Sequence, residues 1–272
     1  MGLAGATAVL YEVNNNHSTQ KKNPISARAP DGSTTLSRPT TTITEPPLTA
    51  KPVKIYTHGD LTKNDIFISV DDGWSEQHIE DDLRTADRYA IPLTFFPAGT
   101  AIQGKEEVFR EIFNRGHAIE NHTFNHNIIY QDTSTAEIIG EIEDQKTALS
   151  DAIGVNIKQR FFRPPGGDGI LWDNHGNRLE TPYPGIIEAC QKLELDVAIW
   201  NIDSNGWMMG ARNATPEAIN YSLNNVTKDL STKGKGGIIL THAIADDAAA
   251  LPLIVEAVKA RGLEPRSMRI LP

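Results

Sequence analysis

The sequence predicts an α/β fold, a distorted (β/α) barrel with about seven parallel strands. From about residue 52 onward, short apolar runs alternate with segments of helical periodicity, and such repeated units favour parallel strands joined by crossover helices. An open, doubly wound sheet is the alternative. Polar residues capable of chemistry follow several of these runs, where β/α barrels build their active sites. These residues are Asp71, His122, Arg163, Asp203 and His242.

Strands are predicted from short apolar runs that are bounded by turn residues. The first run extends from Ile66 to Val70 and ends on the paired acids Asp71 and Asp72. The later runs lie at 93–96, 118–121, 161–162, 197–200 and 238–241.

Helices are predicted from apolar residues at helical spacing and from capping residues. Ser75 precedes a helix whose buried face would include Ile79 and Leu83, and Ser134 with Glu137 forms a capping box. Glycine or proline marks the other boundaries. The boundary residues are Gly116 after a helix at 105–115, Gly154 after the capping-box helix, Pro216 at a helix start and Gly262 after the last helix.

The composition indicates a globular protein with enough apolar residues for one large domain. The chain has 272 residues, of which 39% are hydrophobic, and a net charge of −9 with a pI near 5.4. This acidity argues against nucleic acid or an anionic membrane as the main partner, but an uncharged glycan is compatible with it. The single cysteine, Cys190, excludes intrachain disulfides and is expected in the core. No apolar run is as long as a membrane span, which needs about 20 residues.

Residues 1–50 are predicted to form a flexible arm or linker, and residues 51–272 to form the folded domain. From residue 14 the first segment is poor in large apolar groups and rich in Asn, Ser, Thr and Pro, so it would bury too little surface to offset chain entropy. An arm wrapped on the domain is the alternative. The apolar start of the chain, before residue 14, could be the remnant of a signal or anchor. We therefore expect an extracellular or cell-wall-associated protein. Whether it is anchored to a membrane through a segment missing from this chain is left open.

Two neighbouring acids and two histidines form the main candidate site. Asp71 and Asp72 end the first strand, and His122 and His126 follow a later strand in an H-x-x-x-H pattern. One carboxylate and two imidazoles can hold a divalent metal ion while leaving positions open for water and substrate. The second carboxylate is then free to accept a proton from that water. This combination indicates a hydrolase rather than an iron oxygenase, in which a spare base would have no role.

Five short motifs follow predicted strands along the chain. They read SVDDG at 69–73, HTFNH at 122–126, RPPGG at 163–167, DSNGW at 203–207 and LTH at 240–242. In this order they resemble the motifs of the polysaccharide deacetylase family (carbohydrate esterase family 4), whose members share the nodulation deacetylase, or NodB, homology domain. The resemblance spans residues from about 60 to 270 and implies that 51–272 is a polysaccharide deacetylase catalytic domain.

The resemblance implies a role for each chemically capable residue. Asp71 would be the general base, His242 the general acid, and Arg163 would orient the base. One divalent metal ion, most often zinc, is implied, with cobalt, nickel and manganese left open. Its ligands would be Asp72, His122 and His126.

Substrate-binding residues are expected around this site. By the resemblance, Trp207 and Leu240 would wall the pocket for the acetyl methyl group. The turn that contains Pro165 and Gly166 would offer a backbone N–H to the oxyanion. Trp74 and Trp172 could stack on sugar rings, with ordinary loop packing as the alternative.

Two positions depart from the family pattern. Gly206 stands where the family usually has an aspartate that is thought to tune the catalytic histidine, so the orientation and pKa of His242 depend on a replacement. Asp203 or another acid is expected to replace this aspartate beside His242. Gly166 stands where an aromatic residue is common, which removes side-chain packing but keeps the backbone donor.

The function predicted on this basis is metal-dependent removal of N-acetyl groups from polysaccharides that contain N-acetylglucosamine, such as peptidoglycan or chitin. An O-acetyl esterase acting on xylan and a glycan-binding protein that has lost catalysis are the alternatives, the latter supported by Gly206. The expected partner is an acetylated polysaccharide or oligosaccharide. The protein is expected to be a monomer that binds no nucleic acid.

Overall fold

The computed structural model describes residues 51–210 and 213–272, and the predicted arm at 1–50 lies outside the described residues. Over these residues the chain alternates strands and helices, as the sequence pattern predicts. The strands are β1 (Ile55–Tyr56), β2 (Asp65–Asp72), β3 (Thr94–Pro97), β4 (Ala118–Ile119), β5 (Phe161–Phe162), β6 (Asp196–Ala198), β7 (Ile202–Asp203), β8 (Ile238–His242) and β9 (Glu264–Arg266).

The strands form a parallel sheet that curls into an incomplete barrel. Five strands lie in the order β4-β3-β2-β8-β7, β9 pairs with the start of β2, and a second group has the order β1-β6-β5. A bridge between Asn121 and Phe162 connects the two groups just after β4. All of the strand pairings are parallel, which confirms the predicted distorted barrel.

Helices cover the outside of this sheet, and several start at the predicted caps. The Ser75 hydroxyl accepts the N–H of His78, and the Ser134–Glu137 capping box is present. The helices are α1 (Glu76–Tyr89), α2 (Gly99–Ile102), α3 (Glu106–Asn114), α4 (Thr135–Ile153), α5 (Pro184–Lys192), α6 (Pro216–Lys233) and α7 (Ala245–Ala260).

Side-chain alternation along β2 decides which residues face the barrel interior. Phe67 packs in a buried cluster with Phe96 and Ile238, whereas Ile68 and Val70 join the cluster that packs against the outer helices. Because strand residues two apart share a face, Ser69 and Asp71 follow Phe67 toward the interior. The strand therefore carries Asp71 to the inner rim of the barrel.

Three strands were not predicted, and all are short. β1 and β7 have two residues each, and β9 has three with a proline at its centre, so none carries a readable alternation. Cys190 is buried in α5, as expected for a core cysteine. Among the described residues, no helix is both long and apolar enough to cross a membrane.

Candidate active site

A buried arginine holds Asp71 at the inner rim. Arg163 follows β5, is fully buried, and donates from Nη1 to Asp71 Oδ1 at 2.5 Å and to Ser69 Oγ at 2.9 Å. Its Nε donates to the carbonyl oxygen of Ala198 at 2.9 Å, and its guanidinium lies 3.9 Å from the centre of the Phe96 ring. Since a guanidinium is rigid and always charged, these contacts fix one oxygen of Asp71 and leave Oδ2 free.

Asp72 reaches the same site through an uncommon backbone conformation. Successive strand residues point to opposite faces, so an extended Asp72 would point away from Asp71. Asp72 instead has a φ of 76°, in the left-handed region that aspartate tolerates better than most residues. Its Oδ1 lies 3.1 Å from His126 Nε2 and 3.7 Å from His122 Nε2, and Asp71 Oδ2 lies 3.7 Å from the same His122 nitrogen. Both acids therefore face the histidines.

The two histidines are anchored differently. His122 is buried, and its Nδ1 lies 2.7 Å from the carbonyl oxygen of Arg163, so Nδ1 carries the proton and Nε2 is free to bind a metal. His126 is 28% exposed at the side chain, and its backbone N–H donates to Thr123 Oγ1 at 3.1 Å. The Trp74 ring lies edge-on to the His126 ring with the ring centres 5.1 Å apart.

The protonation states of these residues suit metal binding. Burial lowers the pKa of His122, so its imidazole is neutral at pH 7. Burial opposes the charged form of Asp72, but the contact with His126 and the positive charge of His242 outweigh it and lower the pKa of Asp72. Neutral imidazole and ionised carboxylate are the forms that coordinate a metal.

The geometry of the three donors also fits a divalent ion. Asp72, His122 and His126 each offer one atom, and these atoms lie within 4.8 Å of one another. Ligands about 2.1 Å from a tetrahedral metal are separated by about 3.4 Å. The separations of 3.1 Å and 3.7 Å between Asp72 and the histidines lie on either side of that value. The structure thus brings the three predicted ligands together, and their mixed nitrogen and oxygen donors suit zinc and neighbouring transition metals.

His242 ends β8 directly beside Asp71, its register partner on β2. Its backbone N–H donates to Asp247 Oδ2 at 2.9 Å, and its Nδ1 lies 3.5 Å from the same oxygen, too long for a strong hydrogen bond. Burial alone would lower the pKa of His242, but the contact with Asp247 and the nearby Asp72 and Asp71 raise it to about 9. The imidazole is therefore protonated at neutral pH.

Asp203 does not take the place expected for it. Its Oδ2 accepts the indole N–H of Trp200 at 2.9 Å, and its Oδ1 accepts the backbone N–H of Asn205 at 2.7 Å. These contacts order the turn that leads to Gly206. The acid beside His242 is Asp247, so of the two options left open, Asp203 or another acid, the structure favours another acid.

The turn after Arg163 presents one backbone donor. Pro164 and Pro165 have no N–H, and the N–H of Gly167 donates to the carbonyl oxygen of Pro164 at 2.9 Å. Gly166 is exposed with a φ of 65°, a conformation that favours glycine. The N–H of Gly166 is therefore the donor that this turn can offer to a ligand.

The expected substrate-binding side chains differ in their exposure. Trp74 is 44% exposed beside His126, and Leu240 is buried on the face of β8 that it shares with His242. Trp207 is 57% exposed in the turn after β7, and its role as a wall of the acetyl pocket stays a prediction.

Trp172 braces the turn after Arg163. Its indole N–H donates to the carbonyl oxygen of Gly166 at 3.0 Å, and its ring lies edge-on to that of Trp200 with the ring centres 5.8 Å apart. These contacts favour the packing role that was the alternative to sugar stacking.

Sequence reasoning missed Asp247. It lies in the first turn of α7 and therefore outside the strand ends that were searched. Its position five residues after His242 was the available signal, because an acid in the first turn of the next helix can reach back to the strand end.

The fold and the strand-end residues together define a distorted β/α barrel with a candidate metal centre at its rim. Residues 58–177 match the family model described as polysaccharide deacetylase. The match covers 120 of the 272 residues and includes the first three of the five motifs, so the chain is similar to the family that these motifs resemble.

Three relatives of known sequence share 23–26% identity with the chain. The uncharacterized protein YlxY of Bacillus subtilis (strain 168) is 23% identical over 78% of this chain and 58% of its own length. A chitooligosaccharide deacetylase of Bradyrhizobium sp. (strain ANU 289) is 26% identical over 55% of this chain and 62% of its own. A peptidoglycan-N-acetylglucosamine deacetylase of Bacillus cereus is 24% identical over 72% and 83%. The chain thus spans about three fifths of the length of the first two.

Solved structures share the fold. The peptidoglycan N-acetylglucosamine deacetylase Bc1960 superposes with a TM-score of 0.64 at 20% identity, covering 80% of this chain and 92% of that chain. BA3943 of Bacillus anthracis, described as a CE4 family pseudoenzyme, superposes with a TM-score of 0.65 at 17% identity, covering 82% and 69%. A mutant of BA3943 is described as having restored enzymatic activity.

Proposed function

We propose that this protein is a metal-dependent deacetylase that hydrolyses N-acetyl groups on polysaccharides containing N-acetylglucosamine. The observation that carries the proposal is the pairing of Asp71 with His242 on adjacent strands, beside the cluster of Asp72, His122 and His126. A base, an acid and a metal site at one barrel rim are the parts that amide hydrolysis requires.

Asp71 is the proposed general base. Its Oδ1 is fixed by Arg163 at 2.5 Å, so its Oδ2, which faces the histidines, is the atom that accepts a proton from the attacking water. A divalent ion held by Asp72, His122 and His126 would lower the pKa of that water and polarise the substrate carbonyl. The fixed position of Asp71 also reduces the entropy that must be lost on reaching the transition state.

His242 is the proposed general acid. Amide cleavage expels an amine, which leaves readily only when it is protonated, and a protonated imidazole can deliver that proton. Because Nδ1 faces Asp247, we assign the delivered proton to Nε2. The backbone N–H of Gly166 is the proposed donor to the oxyanion that forms at the carbonyl oxygen.

The substrate class follows from the relatives and from the rim of the site. Three relatives are named as deacetylases of chitooligosaccharide, of peptidoglycan N-acetylglucosamine and of peptidoglycan N-acetylmuramic acid. The exposed Trp74 lies beside His126, and such a ring can stack on a sugar. We extend the proposal to an extracellular or cell-wall-associated location, where such polymers occur, and to action as a monomer.

Acetate release tests this proposal. The purified chain would be stripped with a chelator, reloaded with zinc, cobalt, nickel or manganese, and incubated with N-acetylglucosamine oligomers, peptidoglycan and acetylated xylan. We expect metal-dependent acetate release from the N-acetyl substrates, and none from an Asp71→Asn control. Release from xylan alone would identify an O-acetyl esterase.

Loss of catalysis is the remaining alternative. It was supported by Gly206, but Asp247 supplies a carboxylate beside His242, so that support is weakened. Binding of N-acetylglucosamine oligomers without acetate release under any metal would favour a glycan-binding protein and would contradict the proposal.

A further inference from the structure

The space beside Gly206 is filled by a carboxylate from another element. A Cβ atom at this position would lie 2.3 Å from Asp247 Oδ1, 2.7 Å from Asp247 Cγ and 2.8 Å from Ser222 Oγ. Contacts this short are not tolerated between side-chain atoms. The backbone at Gly206 lies outside the left-handed region, so its conformation does not itself require glycine. Glycine at this position is explained by the presence of Asp247, the nearer neighbour, together with Ser222.

Asp247 lies in the first turn of α7 and is buried. Its Oδ2 accepts the hydroxyl of Ser204 at 2.9 Å and the backbone N–H of His242 at 2.9 Å. The positive end of a helix dipole also stabilises an acid in the first turn. These interactions offset part of the cost of burying the carboxylate and hold Oδ2 in place, whereas Oδ1 has no hydrogen-bond partner among the described residues.

The same oxygen faces the His242 ring. Nδ1 of His242 lies 3.5 Å from Asp247 Oδ2, so the ring is oriented with Nδ1 toward α7 and Nε2 toward the barrel rim. A carboxylate behind an imidazole fixes its tautomer and orientation and stabilises its charged form.

We propose that Asp247 is the positioning residue of His242, and that from α7 it takes the place that an aspartate at position 206 would occupy. The inference rests on the proposed function, in which His242 is the general acid. Positions 206 and 247 are then alternatives, because the two side chains would compete for one volume. The aspartate missing from the fourth motif is replaced rather than lost.

Other acids surround His242 and must be separated from Asp247 in a test. Asp246 is the neighbour of Asp247 on α7, is fully buried, and neither of its oxygens has a hydrogen-bond partner among the described residues. It offers a matched control because its carboxylate is equally buried. The charged groups that face His242 are Asp71 and Asp72 from β2, Asp203 from β7, and Asp246 and Asp247 from α7.

The first test compares Asp247→Asn with Asp246→Asn in the zinc-loaded protein. For Asp247→Asn we expect kcat on an N-acetylglucosamine oligomer to fall about 10- to 100-fold with KM little changed, less than the about 10²- to 10⁴-fold loss on removing a general acid. The pKa of the His242 ring, followed by NMR, should fall. Asp246→Asn should change both much less. An unchanged kcat and an unchanged His242 pKa in folded Asp247→Asn would overturn the proposal.

The second test moves the carboxylate. Gly206→Asp alone should be destabilised because its side chain meets Asp247, and Asp247→Ala alone should lose activity. In the double variant Gly206→Asp/Asp247→Ala, kcat should be at least tenfold higher than in Asp247→Ala. The pKa of His242 should also be raised again. A folded, zinc-binding double variant that regains neither would contradict the claim that the two positions are alternatives.

The NMR measurement separates this inference from the proposed function. If the wild-type protein releases no acetate from any substrate, the proposed function fails. The dependence of the His242 pKa and tautomer on Asp247 can still be read from the same variants.

Discussion

Arg163 donates a hydrogen bond to Asp71 Oδ1 at 2.5 Å, and the other oxygen of Asp71, Oδ2, lies 3.7 Å from His122 Nε2. A buried guanidinium therefore does two things at once. It compensates the charge of a buried acid, and it decides which oxygen of that acid can accept a proton. The stability of the barrel and the orientation of the base depend on the same contact.

Replacing Arg163 should reduce both stability and activity. Arg163→Met would leave Asp71 buried without its partner, and we expect a loss of about 3–5 kcal/mol in the free energy of unfolding. Arg163→Lys keeps the charge but lacks the planar guanidinium. This variant should therefore be less destabilised than Arg163→Met, and its kcat should still be reduced. Urea unfolding and kcat would be measured, with the exposed Arg84→Met as the control, expected to change stability by less than about 0.5 kcal/mol. An Arg163→Met protein as stable as the control would contradict the structural role.

Removing either histidine of the metal site should abolish zinc binding and acetate release. His122→Ala should also lower stability, since His122 is buried and bonded to the Arg163 carbonyl oxygen. His126→Ala should lower stability less, because His126 is partly exposed. Zinc titration calorimetry, thermal unfolding and acetate assays would check this. The exposed His58→Ala is the control and should retain zinc and activity. Stoichiometric zinc and full activity in either site variant would refute the ligand set.

His242→Ala should affect amides more than esters. We expect kcat on N-acetyl substrates to fall about 10²- to 10⁴-fold. An O-acetyl ester with a good leaving group needs less protonation and should lose less. Parallel kinetics on the two substrate types would check this. Equal losses would indicate that His242 holds the structure or the oxyanion instead of delivering a proton.

The pH dependence should report the same group. Nearby carboxylates raise the pKa of His242 to about 9, and a general acid works only while protonated, so kcat/KM should be retained below that value and fall as pH rises through it. The charge of a bound divalent ion would act in the opposite direction and move this fall to lower pH. Asp247→Asn should shift this fall to lower pH. A falling limb that does not move in Asp247→Asn would mean that another group controls it.

Local patterns in the sequence predicted much of this fold. The capping box at Ser134 and the apolar run that ends at Asp71 depend on neighbouring residues, so they can be read before any tertiary contact is known. The histidines were found because they follow a strand. Family resemblance supplied their roles.

Three features depend on tertiary structure and could not be read in this way. Strand alternation would separate Asp71 from Asp72, and only the left-handed backbone at Asp72 brings both to the histidines. Asp247 reaches His242 because α7 starts directly behind β8. The exposure of Trp207 depends on a turn whose path the motif does not fix.

The division of labour between Asp71 and Asp72 is the central claim, and zinc affinity measured alongside kcat on Asp71→Asn and Asp72→Asn tests it most directly. Asp71→Asn should bind zinc nearly as tightly as the wild type and lose most of its activity, because an amide cannot accept the proton of the attacking water. Asp72→Asn should bind zinc more weakly, and excess zinc should restore part of its rate. Loss of zinc in Asp71→Asn together with wild-type zinc affinity in Asp72→Asn would reverse the assignment.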